Sequence, residues 1–176
     1  MPVTQALLIA NVVAFLLQTS SDLPLLEWFA LWPLGPLFEP WQTVTYSFLH
    51  GGIAHIVFNM FALYTFGAGV ERLFGSRFYA LYYFACVVSA ALCHLVFTSV
   101  AGGPPIPTVG ASGGVYGLLL AYGLYFPHHR VMLLIPPIPM NARTLVFVFA
   151  ALELFFGVTG THGGVAHFAL VCGMVG

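Results

Sequence analysis

Charged side chains are scarce in this sequence. Only 5% of the 176 residues are charged, none is lysine, and 60% are hydrophobic, with a mean hydropathy of +0.98. A soluble domain carries about 25% charged residues, so this chain cannot cover a water-facing surface with ionic groups. The composition predicts an all-α, multi-pass integral membrane protein whose surroundings are the lipid bilayer. With four arginines as its whole basic content, it offers no patch for nucleic acid, and we expect no such partner.

Cysteine is also rare, and the N-terminus lacks basic residues. The three cysteines (Cys86, Cys93 and Cys172) all lie inside apolar runs, which predicts packing residues rather than a disulfide framework or a zinc site. No arginine precedes the first apolar segment. We therefore expect that segment to be a retained helix and not a cleaved signal peptide.

The apolar runs predict six membrane segments in one transmembrane domain covering residues 1–176. Compared with the ~20 residues needed to span a bilayer, they fall at roughly 4–19, 53–71, 78–100, 112–126, 143–158 and 164 to the end. A helix in the last run would rise only about 20 Å, so we expect the natural protein to continue beyond Gly176. Loop 20–42 is rich in tryptophan, leucine and proline, which predicts a segment lying in the membrane interface.

The arginines predict the orientation. Arg72 and Arg77 flank the turn after the second segment, and Arg130 and Arg143 bracket the loop after the fourth. The positive-inside rule puts these loops and the N-terminus in the cytoplasm. The second, fourth and sixth segments then all enter the membrane from the outer side.

This orientation brings the unusual polar residues to one depth. His55 lies in the first turn of segment two, Ser112 at the start of segment four, and His167 in the first turn of segment six. Asn59 follows His55 by four residues and Tyr116 follows Ser112 by four, so each pair shares one helix face. Three helices therefore deliver His, Ser and His to within one or two turns of the same membrane face.

These residue types favour nucleophilic catalysis. Serine is a weak nucleophile that needs a base to take its proton, and His167 suits that role because a neutral imidazole also returns the proton to a leaving amine. His55 and Asn59 can donate, together with the Ser112 amide, to an oxyanion. The alternatives are structural: Gly113 and Gly117 form a small-residue packing face, and the polar side chains tie helices together.

In these motifs the sequence resembles the rhomboid intramembrane serine proteases. The resemblance rests on Gly110-Ala111-Ser112-Gly113, on His55 through Asn59, on Ala166-His167, and on Glu71-Arg72 with Gly75. It implies a six-helix rhomboid-like bundle, a Ser112–His167 dyad, and an oxyanion site from His55, Asn59 and Ser112. It also implies that Tyr116 supports the His167 ring, with Gly110 and Gly113 beside the serine, and that the substrates are transmembrane helices. We expect a bacterial inner (plasma) membrane as the location.

One stretch departs from the family pattern. Family members usually carry small residues soon after the histidine, whereas Leu170, Val171 and Cys172 stand there before Gly173. Bulkier side chains at these positions are expected to hold the sixth helix away from the fourth. Among the other polar residues, we expect Glu71 to pair with a nearby arginine.

His94 and Glu153 lie within predicted segments, and ionisable groups there are functional candidates by default. Substrates are expected to enter the bundle laterally beside segment five, with Phe155 or Phe156 facing the opening between the helices. The fragment Gly110-x-Ser112-x-Gly114 also fits the motif of α/β-hydrolases, but the proline-rich residues before it and the apolar composition oppose that fold.

Two further alternatives remain. A catalytically silent rhomboid-like protein would bind transmembrane clients without cutting them. A metal site would use His50, His55, His162 and His167, but the H-E-x-x-H pattern is absent from the sequence. We therefore expect no metal and no other cofactor.

Overall fold

The described residues form a bundle of helices and a short β-hairpin. The computed structural model describes residues 1–102, 106–132, 137–159 and 171–174, excluding the side chains of 101, 153 and 156–159. The helices are α1 (Pro2–Ser20), α2 (Leu25–Phe29), α3 (Gln42–Thr45), α4 (Ile53–Ala62), α5 (Ala68–Phe74), α6 (Ser76–Ala101), α7 (Ser112–Tyr125) and α8 (Ala142–Thr159). A 3-10 turn (Tyr46–Phe48) follows α3, and a π-helical turn (Leu63–Gly67) joins α4 to α5. Residues 171–174, the terminal turn, are also helical.

The prediction of a helical membrane bundle is confirmed. Five predicted segments agree with the observed helices to within three residues at each end. Among the described residues, three stretches are long and apolar enough to cross a membrane: Pro2–Ser20, Ile53–Phe74 and Ser76–Val100. Their outward faces expose large aliphatic side chains, such as Ile9, Leu81 and Val96, because lipid and not water surrounds the bundle. The predicted start of the sixth segment lies outside the described residues.

Helix α7 forms the centre of the bundle because it has small residues on several faces. A Cβ on Gly114 would overlap the ring of Tyr83 in α6, one on Gly117 would overlap the Cys86 side chain, and one on Gly123 would overlap Val146 of α8. Glycine therefore lets α6 and α8 pack directly on the α7 backbone, as is common where membrane helices associate.

The terminal turn packs against α7 and is bonded to α6. A Cβ on Gly173 would lie 2.6 Å from the carbonyl oxygen of Gly113, so the two backbones are in contact. Ser89 donates to the carbonyl of Cys172 at 3.1 Å, and Cys172 forms a disulfide with Cys93. The prediction that these cysteines are only packing residues is wrong. The expected separation of the two helices is also wrong at Gly173, because Cys172 is bonded to α6 instead of wedging against α7.

Glu71 fixes the start of α1. Its carboxylate accepts hydrogen bonds from the backbone amides of Val3 and Thr4 at 3.0 and 2.9 Å. The hydroxyl groups of Thr4 and Ser76 also donate to it, each at 2.7 Å. The predicted pairing with an arginine is therefore wrong. The first amides of a helix lack partners within it, and a buried carboxylate supplies acceptors for them. The start of α1 and the end of α5 thus share one face of the bundle.

The opposite face is organised by buried polar side chains in loop 20–52. Gln42 accepts from the amides of Trp32 and Glu39 and donates to the carbonyl of Leu37 at 3.0 Å. Exposed tryptophans at positions 28 and 41 support the predicted interfacial position of this loop. No local sequence pattern points to Gln42, because its partners are backbone groups brought together by the loop.

Two short backbone pairings complete the fold. Strands β1 (Arg130–Met132) and β2 (Pro139–Asn141) form an antiparallel hairpin between α7 and α8, in a region where prolines prevent helix. Leu31 pairs with Thr108, each donating to the other's carbonyl at 3.0 and 2.9 Å. His94 Nε2 lies 3.1 Å from the Thr108 hydroxyl. This hydrogen bond gives His94 a structural role, joining α6 to the loop before α7.

Candidate active site

Helix α7, which begins at Ser112, is too short to cross a bilayer by itself. Its 14 residues rise about 21 Å, less than the ~30 Å hydrocarbon core. At least one end of α7 must therefore lie within the hydrocarbon core, where every backbone group needs a partner, and the loop before α7 has such partners. Those partners come from other loops: Thr108 pairs with Leu31, and the Gly110 amide donates to the carbonyl of Tyr46 at 3.0 Å.

Gly110 is required by its conformation and by its neighbour. Its φ of 131° is unfavourable for residues with a side chain. A Cβ there would lie 2.9 Å from His55 Nε2 and 3.5 Å from Ser112 Oγ. His55 and Ser112 therefore face the same small space, from which glycine excludes any side chain.

A hydrogen bond to His55 defines which ring nitrogen carries the proton. The amide of Gly51 donates to His55 Nδ1 at 3.3 Å, so Nδ1 is an acceptor. In a neutral imidazole the other nitrogen then bears hydrogen. His55 Nε2–H is thus a donor on the side of Gly110 and Ser112, as an oxyanion donor would need to be.

Asn59 lies one turn further along α4. It is buried, and its Nδ2 donates to the carbonyl of His55 at 2.9 Å. The amide group has a second N–H that this bond does not use. The same bond fixes the Asn59 side chain in the lining of a cavity.

The predicted residues of α4 and α7 line one cavity of about 420 Å³. His55 and Asn59 form one wall, Ser112 and Tyr116 the second, and Leu145 and Phe149 of α8 the third. Phe149 contacts the Tyr116 ring edge to face, with centroids 6.1 Å apart. Of the two phenylalanines expected at the gap, Phe155 is exposed to the outside and the Phe156 side chain lies outside the described residues.

His167, the predicted base, lies outside the described residues, as does His162. The nearest described residues after it in the chain are those of the terminal turn, where Gly173 contacts Gly113. Gly113 itself packs on α6, where a Cβ would lie 2.7 Å from that of Ala90. The metal-site alternative depends on the same two histidines.

His50 is a residue whose role the sequence did not reveal. The sequence offered it as a ligand in the metal-site alternative, whereas in the structure it is fully buried, with its ring centroid 5.2 Å from that of His55. Gln18 at the end of α1 holds its backbone through hydrogen bonds of 2.7 and 3.1 Å. Burial and the neighbouring His55 lower the pKa of His50 to about 4. His50 therefore keeps a neutral ring behind His55 at physiological pH.

Together these features define a class of protein. The chain is a helical membrane protein with a serine at the start of a central helix, beside a histidine donor and a cavity lined mostly by apolar side chains. A family model described as "Rhomboid domain" matches residues 37–176. The chain belongs to the rhomboid family.

The curated relatives are rhomboid proteins from bacteria and yeast. The chain is 34% identical over 119 residues to rhomboid protease GluP of Bacillus subtilis, covering 68% of this chain and 21% of that protein. It is 32% identical over 124 residues to rhomboid protease GlpG of Klebsiella pneumoniae, covering 69% and 42%. For the mitochondrial rhomboid protein 1 of Saccharomyces cerevisiae, the identity is 32% over 98 residues, covering 54% and 28%. The chain thus spans less than half the length of each of these relatives.

Proposed function

We propose that this protein is a serine-type intramembrane endopeptidase that cuts transmembrane helices with a Ser112–His167 dyad. One observation carries the proposal: His55, Asn59 and Ser112 line a single cavity in a chain whose relatives are named rhomboid proteases. A serine placed beside aligned hydrogen-bond donors suits a reaction that develops negative charge on oxygen.

In the proposed reaction, Ser112 Oγ attacks the carbonyl carbon of the scissile peptide while His167 takes the hydroxyl proton. The carbonyl oxygen becomes an oxyanion that accepts from the Ser112 amide, His55 Nε2–H and Asn59 Nδ2–H. The helix cannot pair the amide of its first residue, so the Ser112 amide is suited to this role. His167 then donates its proton to the leaving amine, and water hydrolyses the acyl ester with the same histidine as base. Tyr116 is proposed to support the His167 ring.

The proposed substrates are transmembrane segments of membrane proteins. A closed helix cannot present a carbonyl to Ser112 while its own hydrogen bonds are intact, so segments with helix-breaking glycine or proline near the cut are favoured. Leu145 and Phe149, which form one wall of the cavity, belong to α8. This supports entry of the substrate beside α8. We propose that residues 1–176 form a single domain that lies in a bacterial inner membrane, with the N-terminus in the cytoplasm.

The proposal is tested by cleavage of a transmembrane substrate in reconstituted vesicles. Wild-type protein should release the two fragments, and Ser112→Ala should release none. A fluorophosphonate probe should label wild type and leave Ser112→Ala unlabelled. Equal cleavage by both proteins would refute the serine nucleophile.

The alternative is a catalytically silent protein that binds transmembrane clients. It predicts a stable complex with a transmembrane segment, no cleavage and no fluorophosphonate labelling. The direct packing of Gly173 on Gly113 disfavours it, because the helix beyond His167 contacts α7 one residue after Ser112.

A further inference from the structure

A second cavity lies at the other end of the bundle from Ser112. Its volume is about 360 Å³, and it is lined by Gly69, Arg72, Leu73, Tyr122, Phe126 and His129. Helices α5 and α7 both end here, at Phe74 and Tyr125. The cavity is therefore at the membrane face that carries the arginines, and the proposed chemistry does not use it.

Arg72 brings a permanent positive charge to this cavity. Its neighbour in sequence, Glu71, directs its carboxylate to Thr4 and Ser76 on the buried side of the helix. The guanidinium of Arg72 is exposed. Arginine presents several N–H donors in a plane that matches phosphate oxygens, so the cavity has a donor suited to an anion.

His129, which follows the end of α7, adds a second donor to the lining of the same cavity. The Tyr122 hydroxyl lies 3.3 Å from His129 Nδ1, and the Phe126 ring stacks on the imidazole with centroids 5.0 Å apart. When the tyrosine hydroxyl donates to Nδ1, the proton of the neutral ring is on Nε2. Two aromatic neighbours thus hold a hydrogen-bond donor in place in the cavity that Arg72 also lines.

The rest of the lining is apolar. Leu73 is half exposed, and Gly69 lets the Tyr122 ring lie on the α5 backbone, because a Cβ there would be 2.7 Å from the ring. Leu73 and Phe126 give the cavity an apolar side next to its cationic side. A soluble phosphate ion would gain nothing from that side, whereas a molecule with a charged head and hydrocarbon chains would use both.

The surrounding charges favour a negatively charged ligand. The amides of Ala142 and Arg143 donate to the carbonyls of His129 and Pro127 at 2.8 and 3.3 Å. These bonds bring the start of α8, with Arg143, beside the cavity, and Arg130 follows His129 directly. Asp22, Glu27 and Glu39 lie in the loop between α1 and α4, at the opposite face. Basic cavities between membrane helices are suited to anionic lipid head groups.

We propose that this cavity is a binding site for an anionic glycerophospholipid. Arg72 and His129 contact the phosphate oxygens, and Leu73 and Phe126 contact the glycerol and the first acyl carbons. Binding there would join the ends of α5 and α7 and so stabilise the helix that carries Ser112 at its far end.

The test measures lipid retention by native mass spectrometry on the purified full chain. Phosphatidylglycerol, phosphatidylcholine and soluble glycerol 3-phosphate are added separately. Wild type should retain phosphatidylglycerol in preference to the other two. Arg72→Gln should weaken that retention roughly tenfold, since a charge-assisted contact is lost, and His129→Gln should weaken it less. Arg77→Gln is the matched control, because Arg77 lies at the same face but does not line the cavity.

Arg72→Lys and thermal unfolding of each variant separate lipid binding from folding. Arg72→Lys should keep most of the retention, and Arg72→Gln without added lipid should unfold at the wild-type temperature. Equal losses in Arg72→Gln and Arg77→Gln would overturn the site in favour of diffuse surface charge. Equal retention of phosphatidylcholine, or equal binding of glycerol 3-phosphate, would overturn the anionic lipid as its ligand. Ser112→Ala should retain phosphatidylglycerol like wild type, so this test is independent of the proposed proteolysis.

Discussion

The backbone of Gly173 lies against the backbone of Gly113, one residue after the proposed nucleophile. A Cβ added to Gly173 would be 2.6 Å from the Gly113 carbonyl oxygen and 3.2 Å from its Cα. Backbone cannot move aside as a flexible side chain can. The contact therefore sets the spacing between α7 and the terminal turn, which follows the proposed base His167 in the chain.

Gly173→Ala is expected to force these helices apart. Overpacking of this kind costs about 1–3 kcal/mol, and a shift of ~1 Å in catalytic geometry can cost about a hundredfold in rate. The unfolding temperature and the rate of substrate cleavage should therefore both fall. Gly35→Ala is the control, because a Cβ there would meet only the Pro33 carbonyl at 3.9 Å. A Gly173→Ala protein with wild-type turnover would show that this contact does not position the site.

His55→Ala is expected to lower turnover by about 10²–10³, the typical effect of removing an oxyanion donor. Substrate affinity should change much less, because the charge exists only in the transition state. Asn59→Ala should act in the same direction. Asn11→Ala is a matched control, since Asn11 is also buried and donates to the carbonyl four residues earlier, at 2.8 Å, but lies on α1. If turnover is unchanged and binding is weakened, these residues dock the substrate instead.

Phe149→Ala is expected to raise cleavage of membrane-embedded substrates, because Phe149 forms the cavity wall that faces Tyr116. Cleavage rates in vesicles provide the measurement. Phe147→Ala is the control on the same helix, since Phe147 is exposed on the outer face. A cross-link between α8 and α4 should abolish cleavage. Normal cleavage by the cross-linked protein would exclude entry beside α8.

The Cys93–Cys172 disulfide is expected to stabilise the terminal turn. It closes a loop of 79 residues, and such bonds typically contribute about 2–4 kcal/mol. Cys93→Ser should lower the unfolding temperature in detergent, and a phosphine reductant should lower that of wild type to a similar value. Cys86→Ser is the control, because Cys86 is a free thiol and its variant should still respond to reductant. A wild-type protein that is insensitive to reductant would contradict the prediction.

His50 is expected to make stability depend on pH. Its pKa is lowered from 6.5 to about 4 in the folded protein, so between these values the unfolded chain binds more protons. Stability is therefore full above about pH 6.5 and is lost as the pH falls towards 4, by up to roughly 3 kcal/mol. His50→Phe should flatten the plot of unfolding temperature against pH. An equally steep plot for that variant would assign the effect to other groups, such as the adjacent His55.

The sequence by itself determined the class of fold and the set of residues at one depth. Hydrophobic runs are local and the bilayer fixes their length, so five helices could be bounded to within a few residues. Helix period and the arginines then put His55, Asn59, Ser112 and Tyr116 near one another, and the structure has all four on one cavity.

The tertiary structure alone decided the contacts between residues far apart in the chain. No local pattern pairs Cys93 with Cys172, turns Glu71 towards Thr4, or buries His50 against His55. The cavity at Arg72 likewise depends on how the ends of α5 and α7 meet. Such contacts follow from the packing of whole helices, in which small residues fix the distance and orientation between neighbours, and hydropathy carries no information on either.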